Sequence, residues 1–176
     1  VDGHTKEICR KISENAINTS VDIRSIDDHE VNLSNYTKII IGASIRYGKY
    51  REDLYKFIDS NLEILNSKDN AFFSVNVVAR KSAKNTPSTN PYMIKFLKKT
   101  LWKPKILKVF AGKIDYPKYK FFDKYAIRFI MWMTKGPTDL SKSFEFTDWN
   151  MVKKFSKQLV DLEHKQILMF LSIRLY

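Results

Sequence analysis

The chain has 176 residues, 44% of them hydrophobic, which is enough for one globular domain with a substantial core. Lys and Arg outnumber Asp and Glu by 31 to 19, and the net charge of +12 points to an anionic partner: nucleic acid, an acidic membrane surface or a polyanionic small molecule. The single cysteine, Cys9, excludes an internal disulfide and fits a reducing compartment, no signal peptide is visible, and no apolar run approaches the ~18–20 residues of a spanning helix.

Val1-Asp2-Gly3-His4-Thr5 reads as the back half of a loop entering a helix over 6–18, where Ile8, Cys9, Ile12, Ala16 and Ile17 recur at helical spacing. Asp2 or Thr5 is placed to cap that helix. Cys9 falls on its apolar stripe, a packing position. A loop with glycine and hydroxyls at a helix amino end is a ready anion site: free amides point outward, and the dipole adds ~0.3–1 kcal/mol for a negative group. Residues 21–26 alternate as a short half-buried strand, and Asp27-Asp28-His29 follows as a solvated turn. His29 reads as a surface histidine rather than a metal ligand.

Ile39-Ile40-Ile41 reads as a strand buried on both faces. It opens through Gly42-Ala43-Ser44 into Ile45-Arg46-Tyr47-Gly48-Lys49-Tyr50, where aromatics interleave with cations. In an open α/β sheet, ligands sit outside the carboxyl ends of the strands, so this is the expected build for a flat ligand's site; an ordinary strand and loop is the alternative. Residues 53–65 form an amphipathic helix with Leu54, Phe57, Ile58, Leu62 and Leu65 on one face. Residues 70–78 are a second buried strand running into a polar loop over 79–87. Asn90-Pro91 starts a helix of Tyr92, Met93, Phe96 and Leu97, and 105–114 is a further strand. Alternating strands and helices predict an α/β fold with parallel connections.

Residues 115–136 break this rhythm. Tyr116-Pro117-Lys118-Tyr119-Lys120 is basic and aromatic, and 121–133 has helical spacing but is apolar round most of its girth. Lys118, Lys120, Lys124, Arg128 and Lys135 fringe it. Such a helix is either buried or lies in a membrane interface, and it is too short to span. After a turn at 136–139, 143–147 is a short strand. Asp148-Trp149 starts the last helix, capped by Thr147 or Asp148, with Val152, Phe155, Leu159 and Leu162 facing inward. A single domain over 1–163 results. The apolar tail at 164–176 has no place in it and reads as a membrane contact or as something other than the natural end.

In this order the pieces resemble a long-chain flavodoxin-like domain: a three-layer α/β sandwich with a parallel sheet in order 2-1-3-4-5 and an insertion, here at about 116–136, in the last strand. The likeness is closest to the quinone-dependent protoporphyrinogen IX dehydrogenase family of bacterial haem biosynthesis, and it runs from Asp2 to about Glu163. It is carried by Ile41-Gly42-Ala43-Ser44-Ile45-Arg46-Tyr47-Gly48, by Ser74-Val75-Asn76-Val77-Val78-Ala79-Arg80-Lys81, by Ala111-Gly112 with Tyr116-Pro117-Lys118-Tyr119, by 125–133 and by Thr147-Asp148-Trp149.

The resemblance implies FMN, with Asp2, Gly3, His4 and Thr5 around its phosphate. Ser44, Ile45, Arg46, Tyr47 and Gly48 would flank the ring on one side, with Tyr47 the residue to stack on it. Asn76, Val77, Val78, Ala79 and Arg80 would flank it on the other. It implies removal of hydrogen from protoporphyrinogen IX to give protoporphyrin IX and delivery of electrons to menaquinone or ubiquinone. The chemistry lies on the flavin, with no side chain as acid–base catalyst and no metal. A macrocycle bearing propionates and a lipid-soluble acceptor suit a basic, aromatic surface. Lys81, Lys118, Tyr119, Lys120, Lys124, Arg128, Phe129 and Trp132 are the expected substrate and membrane contacts, on a peripheral protein at the cytoplasmic face of the bacterial inner membrane.

One departure stands out. No apolar strand precedes Val1, although the 2-1-3-4-5 order puts such a strand mid-sheet; the expectation is a natural product that extends upstream. Two other readings remain. One is a flavodoxin-like electron carrier or a nicotinamide-dependent quinone reductase, although carriers are usually acidic and this chain is at +12. The other is a basic nucleic-acid-binding module, with aromatics stacking on bases; the haem-pathway reading expects no nucleic-acid partner.

Overall fold

Ile39, Ile40 and Ile41 are wholly buried, and the molecule is layered around them. The computed structural model describes residues 3–16, 19–28, 31–161 and the strand at 168–172. The elements are α1 (His4–Asn15), β1 (Val21–Ser25), β2 (Lys38–Ser44), α2 (Glu52–Ser60), α3 (Leu62–Ser67), β3 (Asp69–Asn76), α4 (Pro91–Lys99), β4 (Ile106–Ala111), β5 (Lys113–Asp115), α5 (Phe121–Met133), β6 (Ser143–Glu145), α6 (Trp149–Asp161) and β7 (Leu168–Ser172).

Five strands form one sheet in the order β1-β7-β2-β3-β4, and every pairing in it is parallel. Successive side chains of β2 and β3 serve opposite faces. Ile39, Ile41 and Phe72 pack with Leu54, Ile58, Leu65, Met93, Phe96 and Trp102. Ile40, Ala71 and Phe73 pack on the other side with Ile8, Ile12, Phe110, Phe155 and Leu159. Full burial of one such side chain stabilises the fold by roughly 1.5–3 kcal/mol. Phe73 lies level with Gly42 on the neighbouring strand, and its ring covers the glycine so closely that a Cβ there would clash with Phe73 Cζ. The three-layer α/β sandwich is the one expected from the sequence.

Several elements differ from expectation in ways that have local causes. The helix expected over 53–65 is two helices: the Asn61 backbone leaves the helical region at φ −121°, while its side-chain amide donates to the Phe57 carbonyl at 2.8 Å. Gly3, at φ 66°, holds the cap position of α1 without any side-chain cap, and Thr5 lies inside the first turn. Glycine takes that backbone at no steric cost. Asp148 does cap α6, its Oδ1 accepting from the Asn150 and Met151 amides.

The strand expected over 105–114 is divided at Gly112. β4 stays in the main sheet, whereas β5 turns away and pairs antiparallel with β6. The insertion therefore leaves and returns through its own two-stranded ladder. The tail that lacked a place supplies β7, which lies between β1 and β2 in the middle of the sheet. Asp2, Ile17, His29 and Leu162 lie outside the described residues.

Candidate functional site

A cavity of about 800 Å³ opens at the carboxyl end of the sheet, within the range of cofactor sites. Its walls are the amino end of α1, the segments that follow β2, β3 and β4, and the underside of α5.

The first wall holds Gly3, His4, Thr5, Lys6 and Arg10. His4 is buried and fixed on three sides. The Thr147 hydroxyl donates to the Ala111 carbonyl at 2.8 Å, so it accepts from His4 Nε2 at 2.6 Å. His4 Nδ1 lies 3.1 Å from Glu7, and the ring packs edge-on to Trp149 at 5.9 Å. These contacts pin the amino end of α1 to β4 and to the start of α6. Its unpaired amides and two cations give this wall a positive character suited to a phosphate.

The second wall is Ser44, Ile45, Arg46, Tyr47 and Gly48. Arg46 and Lys49 exchange backbone hydrogen bonds of 3.0 and 3.1 Å around a two-residue turn. Both central residues have positive φ, 48° at Tyr47 and 75° at Gly48. Tyr47 thus adopts a backbone that favours glycine, and its side chain is 74% exposed. Its hydroxyl donates to Asp123 Oδ1 at 2.7 Å. Arg46 Nη2 lies 3.4 Å from Asp123 Oδ2, while Nη1 is buried with no protein partner.

The third wall is Val75, Asn76, Val77 and Val78. Asn76 Oδ1 accepts from the Ala79 amide and from Asn90 Nδ2, both at 3.1 Å, and Asn76 Nδ2 donates to Ser74 Oγ at 3.1 Å. The Tyr50 hydroxyl donates to the same Ser74 Oγ at 2.7 Å. Burial pushes the Tyr50 phenol well above its ordinary pKa. Tyr50 is therefore a neutral core donor that stiffens the third wall, not a ligand contact of the second.

The roof was not foreseen. Asp123, Ala126, Ile127, Ile130 and Met131 face the cavity from α5, one stripe at helical spacing. The opposite face carries Phe121, Phe122, Tyr125, Phe129, Trp132 and Met133, all exposed. Tyr125, Arg128, Phe129, Trp132 and Thr138 line a second, shallower groove of about 310 Å³ there. The carboxyl end of α5 is anchored by Arg80, whose Nη2 donates to the Thr134 carbonyl and hydroxyl at 3.1 and 2.8 Å. Burial among neutral acceptors lowers the pKa of that guanidinium.

Of the residues predicted to bind cofactor, Gly3, His4, Thr5, Ser44 to Gly48, Asn76, Val77 and Val78 are brought together here, joined by Tyr119. Ala79 and Arg80 are not among the lining residues: Ala79 is packed in the core, and Arg80 positions the roof. Lys81, Lys118 and Lys120 are exposed outside the cavity. Lys118 pairs with Asp115 at 3.1 Å. Lys124, Arg128, Phe129 and Trp132 do not line the cavity, and the last two stand on the outer face of α5. Lys6, Arg10, Tyr92, Gly112 and the underside of α5 were missed. The 123, 126, 127, 130, 131 spacing was the readable sign of the last.

The lining fits a flavin. Ile45, Val77, Ile127 and Ile130 offer an apolar slot, backbone groups of the loops offer a polar edge, the first wall suits a phosphate, and the orphan Arg46 nitrogen awaits an anionic or carbonyl oxygen. Burial pushes the Cys9 thiol up to about 12, which leaves it a packing group. Among the described residues no group of His, Cys, Asp and Glu is arranged to hold a metal, and no helix is long and apolar enough to cross a membrane.

A flavodoxin-domain family model matches residues 1–141. Protoporphyrinogen IX dehydrogenase [quinone] of Escherichia coli (strain K12) is 38% identical over 170 residues, covering 95% of this chain and 94% of that protein. The protein of the same name from Leishmania major is 41% identical over 165 residues, covering 92% of this chain and 71% of its own length. No solved structure gives a significant match. With its parallel sheet and its cofactor-sized cavity at the strand ends, the chain belongs to the flavodoxin-domain family, in the group of quinone-dependent protoporphyrinogen IX dehydrogenases.

Proposed function

We propose that this chain oxidises protoporphyrinogen IX to protoporphyrin IX on a bound FMN and passes the electrons to menaquinone or ubiquinone, as a step of haem biosynthesis. The observation that carries the reading is the double role of α5, whose underside roofs the cavity while its outer face is apolar and fringed with lysines. A redox site that must reach a lipid-dissolved acceptor needs such an element.

FMN would supply reversible two-electron chemistry, so the six-electron oxidation of the porphyrinogen would take three rounds, each reducing one quinone to the quinol. The amides at the start of α1, with Lys6 and Arg10, hold its phosphate. The loops after β2 and β3 hold the two sides of its ring, and α5 excludes water from above. Arg46, Arg80 and Lys81 give the neighbourhood a positive field that favours a macrocycle bearing carboxylates. Tyr47, largely exposed beside the entrance, offers a flat surface to either ring system.

The outer face of α5 rests in the bilayer interface, with Phe121, Phe129 and Trp132 among the acyl chains and Lys118, Lys120, Lys124, Arg128 and Lys135 on anionic headgroups. Each such cation contributes about 1 kcal/mol near an anionic leaflet. The protein is peripheral, at the cytoplasmic face of the inner membrane. Supplying protoporphyrinogen and menaquinone anaerobically to the FMN-loaded chain tests the proposal. Porphyrin fluorescence that rises only with both chain and quinone supports it; a rise at the uncatalysed rate, or quinone reduction that proceeds with NADPH and not with porphyrinogen, rejects it.

A further inference from the structure

β7 lies between β1 and β2, parallel to both. Its register runs from Leu168 opposite Val21 and Lys38 to Ser172 opposite Ser25 and Gly42. Ser172 is thus level with the end of the sheet where Ser25 and Ser44 line the cavity. In the order 2-1-3-4-5 this central slot belongs to the strand whose loop leads into the first helix. That helix is α1, which packs against β1, β2 and β7 and presents its amino end to the same cavity. Remove β7 and β1 has no strand neighbour, because β7 is its only partner among the described strands. Two strands would then carry unpaired backbone rows into the middle of the molecule. The composition agrees: Leu168-Met169-Phe170-Leu171 is an unbroken apolar run, the sequence pattern expected of an inner parallel strand.

We propose that β7 takes the central slot of the strand that, in the order 2-1-3-4-5, leads into the first helix. The phosphate end of the cavity is then assembled from β7 and α1, which stand far apart in the sequence. The ligand there, a phosphate monoester, rests on the flavin reading above; the strand assignment does not.

Two measurements on the 176-residue chain separate these. Hydrogen exchange reads the strand. The amides of 168–172 should exchange about a hundredfold or more slower than those of the turn at 139–142, without vesicles and without flavin. The second measurement uses a reordered chain in which 164–176 is moved ahead of Val1 and no residue is lost. It should keep this protection and bind FMN within about threefold of the parent. Exchange of 168–172 at turn-like rates overturns the proposal, as does protection that appears only when anionic vesicles are added. Loss of that protection in the reordered chain overturns it too. Protection in both chains with no FMN binding in either upholds the strand assignment and rejects the flavin reading alone.

Discussion

The Tyr47 hydroxyl donates to Asp123 Oδ1 at 2.7 Å, a bond that joins the turn after β2 to the first turn of α5, two walls of one cavity. It holds the amino end of the roof, as Arg80 holds the carboxyl end through Thr134. The two clasps are unequal. Arg80 is half-buried and makes several bonds, whereas Tyr47 is 74% exposed on a positive-φ backbone. Asp123, held by Tyr47 and by Arg46 at 3.4 Å, is where opening is expected to start. Tyr47→Phe removes two exposed hydrogen bonds, the one to Asp123 and one accepted from Arg46 Nη2 at 3.3 Å, each about 0.5–1.5 kcal/mol. The expected result is a several-fold faster release of FMN and faster proteolysis at 117–124, with the melting temperature almost unchanged. Stopped-flow flavin release and timed digestion check both.

Arg46 Nη1 is buried without a protein partner, a costly state that a ligand oxygen relieves. Hydrogen bonds to charged groups contribute about 1.5–3 kcal/mol, so Arg46→Met should weaken whichever ligand meets that nitrogen by about ten- to a hundredfold. Titration of FMN and the KM for porphyrinogen distinguish the two ligands. Arg46→Lys keeps the charge but loses the planar fork, and should recover only part of the loss. Equal FMN affinity and equal KM in both variants would remove Arg46 from the site.

The outer face of α5 predicts a separation of functions. Lys124→Ala with Arg128→Ala removes two cations, about 2 kcal/mol on an anionic surface and thus about thirtyfold in vesicle binding. Trp132→Ser should weaken that binding further. Neither change touches the underside of α5, so flavin affinity in solution stays as in the parent. Co-sedimentation with anionic and neutral vesicles measures the first quantity, and flavin fluorescence the second.

At the base of the insertion, the Ser143 hydroxyl, opposed by burial and helped by Lys118, holds the Asp115 carboxyl below its ordinary value of 3.8. A lowered folded pKa stabilises the ladder above pH 3.8 and ceases to do so as pH falls through the folded value. The β5–β6 ladder should thus loosen in acid below pH 3.8. Asp115→Asn abolishes that dependence. The neighbouring turn responds later: Ser141 and Lys142 hold Asp139 down at about 2. Amide exchange across 113–115 and 139–146, followed from pH 5 to pH 2, resolves the two steps.

The inner sheet was legible because isoleucines at 39–41 and the apolar run at 70–75 have no other stable home. The loop at 44–48 followed from the first of them, since a parallel sheet opens its ligand site at the strand ends, whereas 76–78, read as the end of a strand, entered the site only through the family resemblance. Arg80 was misplaced for a physical reason. A guanidinium beside a flavin loop and one bonded to a helix carboxyl end have the same local sequence, and only the distant Thr134 decides between them. The His4–Thr147–Ala111 chain was hidden likewise, its partners 143 and 36 residues apart. The break at Asn61 turned on a single side-chain bond that competes with the helix. The strand at 168–172 had no place in the sequence reading because a strand's place in a sheet is set by pairing, not by where it falls in the chain.

Only Met131 of α5 is buried. A helix of thirteen residues is marginal by itself in water, so the helicity of α5 depends on what lies beneath and above it. On the proposed membrane docking, occupancy of the cavity and attachment to lipid would draw on the same coil-to-helix equilibrium. Whatever factor bilayers add to cofactor affinity, cofactor must add to bilayer affinity, by thermodynamic reciprocity. Flavin titrations with and without vesicles, and vesicle titrations with and without flavin, should return one and the same ratio.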